Sequence, residues 1–330
     1  MSIQVRSEAS TTATTRRRQG IRVLSRRDIA AAGLMLGIPL AIQIAFIWFP
    51  ALASVILSFT KWNGVNGLHL TACQPPPAPA IGNNGCWYGI QNYYQAATVY
   101  PEFWPALRNN VIWLTVLMLV AAPLGMLFAV ILDREIRGSR IYQGVIFLPV
   151  MLSLALIGII WQLVYSQNFG LINTLAGRTT GADAIDWLGN PRLNIWAVLV
   201  EATWRQVGYV MILYLAGLKA VDVTLREAAR IDGANAWQTF RLVVFPVMRP
   251  INIVILVVTV IESLRAFDLV YVTNGGHNGL ELLSVLVTNN ILGGASRIGF
   301  GSALGVVLLI ISLIPISTFL YNTFRREEVR

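Results

Sequence analysis

The chain has 330 residues, of which 55% are hydrophobic and only 12% are charged, and its formal net charge is +9. Soluble domains carry about 25% charged residues, so this composition excludes an ordinary soluble protein and predicts a membrane protein. Membrane topology and attraction to anionic headgroups account for the positive charge, which argues against nucleic-acid binding.

The chain begins with an Arg-rich segment, residues 1–28, that we expect to be a cytoplasmic tail. The apolar run Ile29–Phe59 follows and predicts a first transmembrane helix within residues 29–60. The letters "ALA" at 51–53 resemble a signal-peptide cleavage site, although the apolar run is about twice as long as a signal core. A cleaved signal is the alternative, and it would leave five spans.

Residues 61–105 are rich in turn formers and contain both cysteines, Cys73 and Cys86. We expect this segment to be an extracytoplasmic loop. In an oxidising exterior, two cysteines that close a short Pro- and Gly-rich loop favour a disulfide over two free thiols. Only His69 lies nearby, whereas structural zinc needs four ligands, so no metal site is predicted.

Residues 106–324 contain five further apolar runs, each long enough to cross about 30 Å of hydrocarbon as a helix. Most Lys and Arg residues fall in alternate connections and in the terminal segments. This asymmetry predicts that both termini, including residues 325–330, are cytoplasmic. The predicted spans are Ala106–Leu132, Ile141–Tyr165, Leu193–Leu218, Ile251–Val272 and Ser302–Phe324.

Sequence motifs for catalysis or nucleotide binding are absent. The only lysines are Lys61 and Lys219, and neither follows the glycines of a Walker A phosphate-binding loop. There is no Gly-x-Ser-x-Gly elbow and no Cys/His cluster with metal spacing. We therefore expect no enzymatic activity, no ATPase site and no cofactor or metal bound by this chain.

The loop at 219–250 contains "TLREAARIDGANAWQTFRLVVFP", which predicts two short helices joined by an elbow. Thr224 and Glu227 have the spacing of a capping box at a helix start, and Gly233 can end that helix in a left-handed conformation. The second helix would start at a cap formed by Asn235 and Gln238. We expect Pro246 and Pro250 to stop it.

The composition of this elbow favours a docking element for a cytoplasmic partner. Ala228 and Ala229 offer a small-residue face that another surface can approach closely. Glu227 and Asp232 are acidic and would be repelled by anionic lipid. A surface helix pair that lies on lipid headgroups is the alternative.

The stretch "EAARIDGANAWQTFRLVVFP" resembles the EAA loop of the permeases of binding-protein-dependent ABC importers. Val243 and Phe245 stand where that loop usually has Ile and Leu. Further stretches, including "RGSRIYQGVIFLPVMLSLALIGIIWQLVYSQNFGLINTL", "DWLGNP" and "FDLVYVTNGG", resemble carbohydrate-uptake permeases of the maltose-transporter type over roughly residues 45–320. The chain departs from that pattern at His277-Asn278, where relatives usually have Gly-Pro. The residues that carry the EAA spacing are Glu227, Ala228, Ala229, Gly233 and Pro246.

The resemblance implies an all-α permease with six transmembrane helices and the type I ABC importer (MetI-like) fold, located in a bacterial inner or plasma membrane. It also implies four kinds of partner: a second permease subunit, two copies of a cytoplasmic ATPase that binds ATP and Mg, an extracytoplasmic solute-binding protein and a sugar. ATP-driven alternating access would move that sugar across the membrane. The ATPase-coupling residues would be Glu227, Ala228, Ala229, Asp232, Gly233 and Pro246.

Charged residues within the fourth and fifth spans are costly in a bilayer, so they should face protein or a water-filled path. Glu201 and Arg205 share one helix face by their spacing, as do Glu262 and Arg265. They line a sugar pathway in one interpretation, with Trp204 and Phe267 as stacking surfaces. In the other interpretation they are ion pairs that fix helix packing.

The sequence therefore predicts the permease subunit of an ATP-driven importer for a di- or oligosaccharide. A polyol or glycerol-3-phosphate is the alternative substrate. The charge of glycerol-3-phosphate would account for Arg205 and Arg265. A secondary transporter would show inverted repeats with broken helices, and none is visible in the sequence. A membrane scaffold that does not transport is the remaining alternative.

Overall fold

The computed structural model describes residues 26–65, 67–69, 71–73, 84–134, 136–178, 183–293 and 296–327. Most of the predicted Arg-rich tail and the last three residues lie outside this range. The described chain forms two units, the first ending at Leu52 and the second beginning at Ala53. The first unit is helical, and the stretch Gly33–Leu57 is apolar and long enough to cross a membrane. Its elements are α1 (Arg26–Gln43), a π-helical turn (Ile44–Trp48) and the start of α2 (Phe49–Leu57).

The second unit begins with a small structure outside the predicted spans. A two-stranded antiparallel sheet pairs β1 (Thr60–Lys61) with β2 (Cys86–Trp87), and the short helix α3 (Gln91–Thr98) follows. Cys73 and Cys86 are joined by a disulfide, with their Cα atoms 5.1 Å apart. The predicted extracytoplasmic loop is thus an ordered structure over the part that is described.

The next span is one continuous helix, Phe103–Asp133, whereas the following one is broken. The single helix predicted over Ile141–Tyr165 is wrong, because two helices meet there at 99°. Pro149 lies in the last turn of the first helix, Leu152 is extended, and the Ser153 side chain caps the second helix by accepting a hydrogen bond from Leu156 N. The elements are α4 (Phe103–Val116), a π-helical turn (Leu117–Ala121), α5 (Ala122–Asp133), α6 (Ser139–Met151) and α7 (Leu154–Tyr165).

Helix α9 (Asn194–Ala220), which follows the short α8 (Leu171–Leu175), occupies the centre of the second unit. It packs against α5, α6 and α7 and supplies buried core residues along most of its length. A side chain at Gly208 would collide with the Ile146 carbonyl oxygen of α6. A glycine is therefore needed there for α6 and α9 to pack this closely.

The fifth predicted span, Ile251–Val272, is interrupted at residues 265–267, between two helices. The helix that then follows at Leu283–Ile291 has no counterpart among the predicted elements. Its Leu283, Val285 and Leu286 are fully buried, so tertiary packing stabilises it. The last elements are α10 (Val223–Ile231), α11 (Ala236–Thr239), a π-helical turn (Phe240–Val244), α12 (Phe245–Val247), α13 (Arg249–Leu264), α14 (Asp268–Asn274), α15 (Leu283–Ile291) and α16 (Ile298–Glu327).

Within the described residues, three helical stretches are long and apolar enough to cross a membrane: Gly33–Leu57, Phe103–Asp133 and Ile298–Thr318. Three further helix pairs, each bent by more than 40°, bring the number to six if each pair is counted as one span. The all-α prediction is confirmed, and six spans fit the upper count.

Candidate coupling loop and translocation site

The predicted helix pair with its elbow, which we call the double turn, comprises residues 223–247. Its first helix begins two residues earlier than predicted. Asp222 is the N-terminal cap, and its Oδ1 accepts a hydrogen bond from Thr224 N at 2.9 Å. The capping box predicted between Thr224 and Glu227 is therefore wrong, because Asp222 caps a helix at least as well as a threonine and lies directly after the extended Val221. The same hydrogen bond lowers the pKa of Asp222 below its usual value.

Gly233 ends α10 in the left-handed conformation, with φ at +83°. Its amide donates to the Arg230 carbonyl at 3.1 Å, and the next amide, of Ala234, donates to the Ala229 carbonyl at 3.0 Å. These two bonds make a Schellman motif, which satisfies carbonyls that would otherwise be orphaned at the helix end. The elbow is therefore fixed by its own backbone.

The second half of the double turn starts as predicted and ends differently. Asn235 and Gln238 form a reciprocal capping box, with both hydrogen bonds at 2.9 Å. Pro246 does not stop the helix, which continues to Val247 and breaks at Met248. The π-helical turn before it satisfies the Phe240 carbonyl through Phe245 N, and Pro246 then lies in the first turn of α12, where its missing N–H is tolerated.

The predicted coupling residues divide between surface and core. Glu227, Ala228, Asp232, Gly233 and Pro246 are exposed, whereas Ala229 is buried against the protein. Of the two alanines predicted to form a small-residue face, only Ala228 is therefore accessible to a partner. Two apolar side chains of the double turn are also accessible, because Ile231 is 86% exposed and Trp237 is 65% exposed. Both residues lie in the loop at 219–250, between predicted spans.

The double turn is tied to the membrane helices by an ion pair that the sequence did not reveal. Arg226 Nη1 lies 2.8 Å from Asp133 Oδ2 at the end of α5, and Arg226 Nη2 donates to the Leu218 carbonyl of α9 at 2.8 Å. Arg226 therefore joins α10 to the ends of two core helices. The two ionised residues are 93 positions apart, so no local pattern marks them as partners.

Four charged residues within the fourth and fifth predicted spans line one cavity, and we call them the charged cluster: Glu201, Arg205, Glu262 and Arg265. Arg265 and Phe267 lie in the unwound segment between α13 and α14, beside Glu201 and Arg205 of α9 and Glu262 of α13. All five line one cavity of about 40 Å³. Ligand sites usually measure about 300–1,000 Å³, so this cavity is closed to a sugar in the present conformation.

The ion pair inside the charged cluster joins two different helices. Arg205 Nη1 lies 3.5 Å from Glu262 Oε2, on a different helix, and this is one of two ion pairs among the described residues. Spacing places Glu201 with Arg205 and Glu262 with Arg265 on shared helix faces, but the ion pair joins one residue of each set. Helix packing brings α9 and α13 close enough for the ion pair between them, which helix spacing alone cannot indicate.

Glu201 and Glu262 have opposite environments. Glu201 is fully buried, and its Oε1 lies 3.2 Å from Thr273 Oγ1 of α14, while Oε2 has no partner among the described residues. The Glu262 side chain is 38% exposed and that of Arg205 is 22% exposed. The charged cluster thus reaches from the interior of the chain to its surface.

The two predicted stacking residues lie in different places. Phe267 lines the cavity and stacks on Tyr271, with ring centroids 4.9 Å apart. Trp204 lines a separate apolar groove of about 650 Å³ between α5, α6 and α9 and packs edge-on against Trp161. Trp204 therefore does not belong to the cavity that the charged cluster lines.

Comparison with known proteins gives consistent matches. The family described as "Binding-protein-dependent transport system inner membrane component" matches residues 121–327. The osmoprotective compounds uptake permease protein GgtC of Synechocystis sp. is 30% identical, over 86% of this chain and 95% of GgtC. The trehalose/maltose transport system permease protein MalF of Thermococcus litoralis is 27% identical, over 90% of this chain and 96% of MalF. The xylose/arabinose import permease protein XacH of Haloferax volcanii is 31% identical, over 72% and 75%.

Solved structures with the same fold include a bacterial ABC transporter involved in the import of the acidic polysaccharide alginate. Its chain aligns with a TM-score of 0.72 at 19% identity, covering 91% of this chain and 96% of that one. A bacterial alginate ABC transporter in complex with an alginate pentasaccharide-bound periplasmic protein aligns with a TM-score of 0.73.

Proposed function

The chain belongs to the family of binding-protein-dependent transport system inner membrane components, and from this premise we propose that it is the permease subunit of an ATP-driven importer for a di- or oligosaccharide. In this proposal it forms half of the translocation pathway, and a second, similar permease forms the other half. Both termini lie in the cytoplasm of a bacterial cell.

The main support for the proposal is that the charged cluster is partly exposed at the surface of this chain. Glu262 and Arg205 lie within predicted spans yet remain partly exposed on the surface of this chain. Charged side chains at that depth cost about 2.5–3.5 kcal/mol each on the insertion scale if they face lipid. This face therefore needs another protein surface or a water-filled path, and a second permease subunit supplies both.

The unwound segment between α13 and α14 supports the same interpretation. Non-helical backbone at membrane depth is tolerated where it lines a cavity or is buried in protein. Here it presents Arg265 and Phe267 to the cavity. Rearrangement of the two subunits against each other would open this cavity alternately to the two sides of the membrane.

The double turn is the proposed contact with the ATPase, which binds ATP and Mg in place of this chain. Its exposed Glu227, Ile231 and Trp237 form the docking surface. Closure of the ATPase would then move α10, and the Arg226–Asp133 ion pair would pass this movement to α5.

A hydroxylated, uncharged substrate is favoured over glycerol-3-phosphate. Glu262 already neutralises Arg205, so one of the two arginines that would bind a phosphate is occupied. The stacked rings of Phe267 and Tyr271 offer an apolar surface of the kind that packs against a sugar ring. Two of the relatives described above are named for sugars, trehalose/maltose and xylose/arabinose.

The test is uptake by proteoliposomes that contain this chain, the second permease and the ATPase, with the solute-binding protein added outside. We expect ATP-dependent accumulation of radiolabelled maltose, trehalose or a related oligosaccharide. An inactive ATPase variant serves as the control and should abolish accumulation. Sugar accumulation that does not need ATP or the solute-binding protein would contradict the proposal.

A further inference from the structure

A second polar pocket, about 530 Å³ in volume, shares no lining residue with the cavity of the charged cluster. We call it the outer pocket. It lies between the β1–β2 sheet, α3 and the start of α16, on the side that the predicted topology places outside the cell. Its walls combine two cations with amide and aromatic side chains, including Lys61, Tyr88, Asn92, Gln95, Arg297 and Phe300.

Hydrogen bonds fix the walls of the outer pocket. Asn92 Nδ2 donates to the Ser58 and Thr60 carbonyls at 2.8 and 2.9 Å, which attaches α3 to β1. Gly299 N donates to the Trp62 carbonyl at 2.9 Å, which attaches the start of α16 to the same segment. The segments that form the walls of the pocket are therefore held to one another by hydrogen bonds.

The residues that line the outer pocket include two cations, Lys61 and Arg297, and no Asp or Glu. Lys61 Nζ lies 5.8 Å from the centre of the Tyr88 ring, and Arg297 is exposed. Neither forms an ion pair with any described residue. The segments that supply the lining, residues 29–101 and 282–326, contain no Asp or Glu at all. Glu102 follows the first segment and is exposed, but it does not line the pocket.

Two cations in a pocket whose lining contains no carboxylate make a site for an anion. A guanidinium and an ammonium that line one pocket suit a carboxylate, because the guanidinium can bind it through two parallel hydrogen bonds. The amide nitrogens of Asn92 and Gln95 in the same wall already donate to the Ser58 and Thr60 carbonyls and to the Tyr88 hydroxyl, so the two cations supply the attraction for an anion. The chemistry of the outer pocket is therefore that of carboxylate recognition.

We propose that the outer pocket binds an acidic side chain presented by the extracytoplasmic solute-binding protein. This inference rests on the proposed function, which supplies that partner and the outer location. A free anionic sugar is less favoured, because Glu262 already pairs with Arg205 of the charged cluster and the proposed substrate is uncharged. A lipid phosphate is less favoured because the residues that line the pocket lie outside the predicted spans.

The test measures the affinity of the assembled importer for the solute-binding protein encoded beside it, with the complex in phosphatidylcholine nanodiscs. The Lys61→Met/Arg297→Gln variant should bind about tenfold more weakly, and its affinity should depend less on salt. The matched variant Lys61→Arg/Arg297→Lys keeps both charges and should stay within about threefold of wild type. Arg178→Gln removes an exposed charge that does not line the pocket and should bind normally.

Several outcomes would overturn the inference. Equal binding by the neutral and charge-retaining variants would do so, provided that chromatography shows both assembled. A defect that occurs only in phosphatidylglycerol nanodiscs would assign the pocket to lipid, and charge-dependent competition by glucuronate alone would assign it to a free ligand. Failure of the proposed function has a different signature, since the wild-type complex would then not bind the solute-binding protein at all.

Discussion

The double turn and the charged cluster are held together in opposite ways. In the double turn, the cap at Asp222, the Schellman bonds around Gly233 and the Asn235–Gln238 box all join residues close in sequence, and most of the proposed coupling residues are exposed. In the charged cluster, the Arg205–Glu262 contact joins residues 57 positions apart and the Glu201–Thr273 contact joins residues 72 apart. We therefore expect the double turn to keep its conformation when it moves, whereas the geometry of the charged cluster depends on how the helices pack.

This difference fits the two proposed roles. A lever that docks into an ATPase must stay rigid while it moves, and local backbone hydrogen bonds provide that rigidity. A gated pathway must change when helices shift, and contacts between helices change with them. We therefore expect mutations in the double turn to uncouple the importer without unfolding it, and mutations in the charged cluster to affect stability and transport together.

The largest effect should come from reversing the exposed charge of the double turn. We expect Glu227→Lys to reduce ATP-dependent uptake by more than about tenfold, because Glu227 is exposed on the docking surface and forms no ion pair with any described residue. Thermal unfolding of the permease pair should stay close to wild type, since surface substitutions usually change stability by less than about 0.5 kcal/mol.

Co-purification of the ATPase with this variant measures the docking directly. Glu227→Gln is the matched control, because it removes the charge without reversing it and should give a smaller defect. Normal ATPase retention together with normal uptake in Glu227→Lys would remove the double turn from the coupling mechanism.

The next effect concerns the ion pair of the charged cluster. Arg205→Met or Glu262→Met alone leaves one charge without its partner, which should lower stability by about 2 kcal/mol. The double variant Arg205→Met/Glu262→Met should be less destabilised than the sum, by a coupling energy of about 1 kcal/mol. Thermal unfolding of all four proteins in nanodiscs measures this cycle.

Uptake by the same four proteins separates the two roles left open by the sequence. If the charged cluster lines the pathway, the double variant should regain stability and still fail to transport. If the ion pair only fixes packing, stability and uptake should recover together. Additive losses in stability would show that Arg205 and Glu262 do not interact in the membrane.

The same contrast explains what could be predicted from the sequence. The positions of the apolar runs, the elbow at Gly233 and the Asn235–Gln238 box follow from local composition and spacing, and the structure contains them. The partner of Arg205 depends on the packing of α9 against α13, and the site of Trp204 on the groove between α5, α6 and α9. Such placements are set by tertiary packing, which no single segment encodes.

The wrong prediction of a single helix over Ile141–Tyr165 has a local cause. The break between α6 and α7 was not predicted, because an apolar run through Pro149 and Ser153 is long enough for one span. A proline inside a membrane helix is compatible with either a kink or a complete break. In this chain the extended Leu152 and the Ser153 cap decide for the break.

A smaller effect should follow from the backbone conformation of the elbow. Gly233→Ala places a side chain at φ +83°, which costs about 1–2 kcal/mol. An added Cβ meets no atom within 4 Å there, so the cost comes from the backbone alone. We expect faster hydrogen exchange in α10 and α11 and a partial loss of uptake.

Gly144→Ala is the control for this change. Gly144 lies in α6 and also has open space around an added methyl group, but its φ is not in the left-handed region. An alanine there should be neutral or slightly stabilising, because it reduces the freedom of the unfolded chain. Equal exchange in both variants would mean that the left-handed turn does not stabilise the double turn.

The smallest effect should come from the cap at Asp222, and it should depend on pH. The hydrogen bond from Thr224 N favours the carboxylate and lowers the pKa of Asp222 in the folded chain. Its contribution is therefore complete above the ordinary pKa near 3.8 and is lost as the pH falls through the lower folded value. At neutral pH, Asp222→Ala should exchange the first amides of α10 faster than wild type.

Asp222→Asn distinguishes the hydrogen bond from the charge. Asparagine caps a helix about as well as aspartate but does not titrate, so this variant should protect the amides at pH 7 and keep that protection in acid. The wild type should lose its advantage over Asp222→Ala only below about pH 4, where its carboxylate becomes protonated. Hydrogen exchange measured by mass spectrometry on the peptide that spans α10 follows all three proteins. Because α10 is also fixed by the Schellman bonds and by Arg226, a defect confined to its first turn is what a locally held structure predicts.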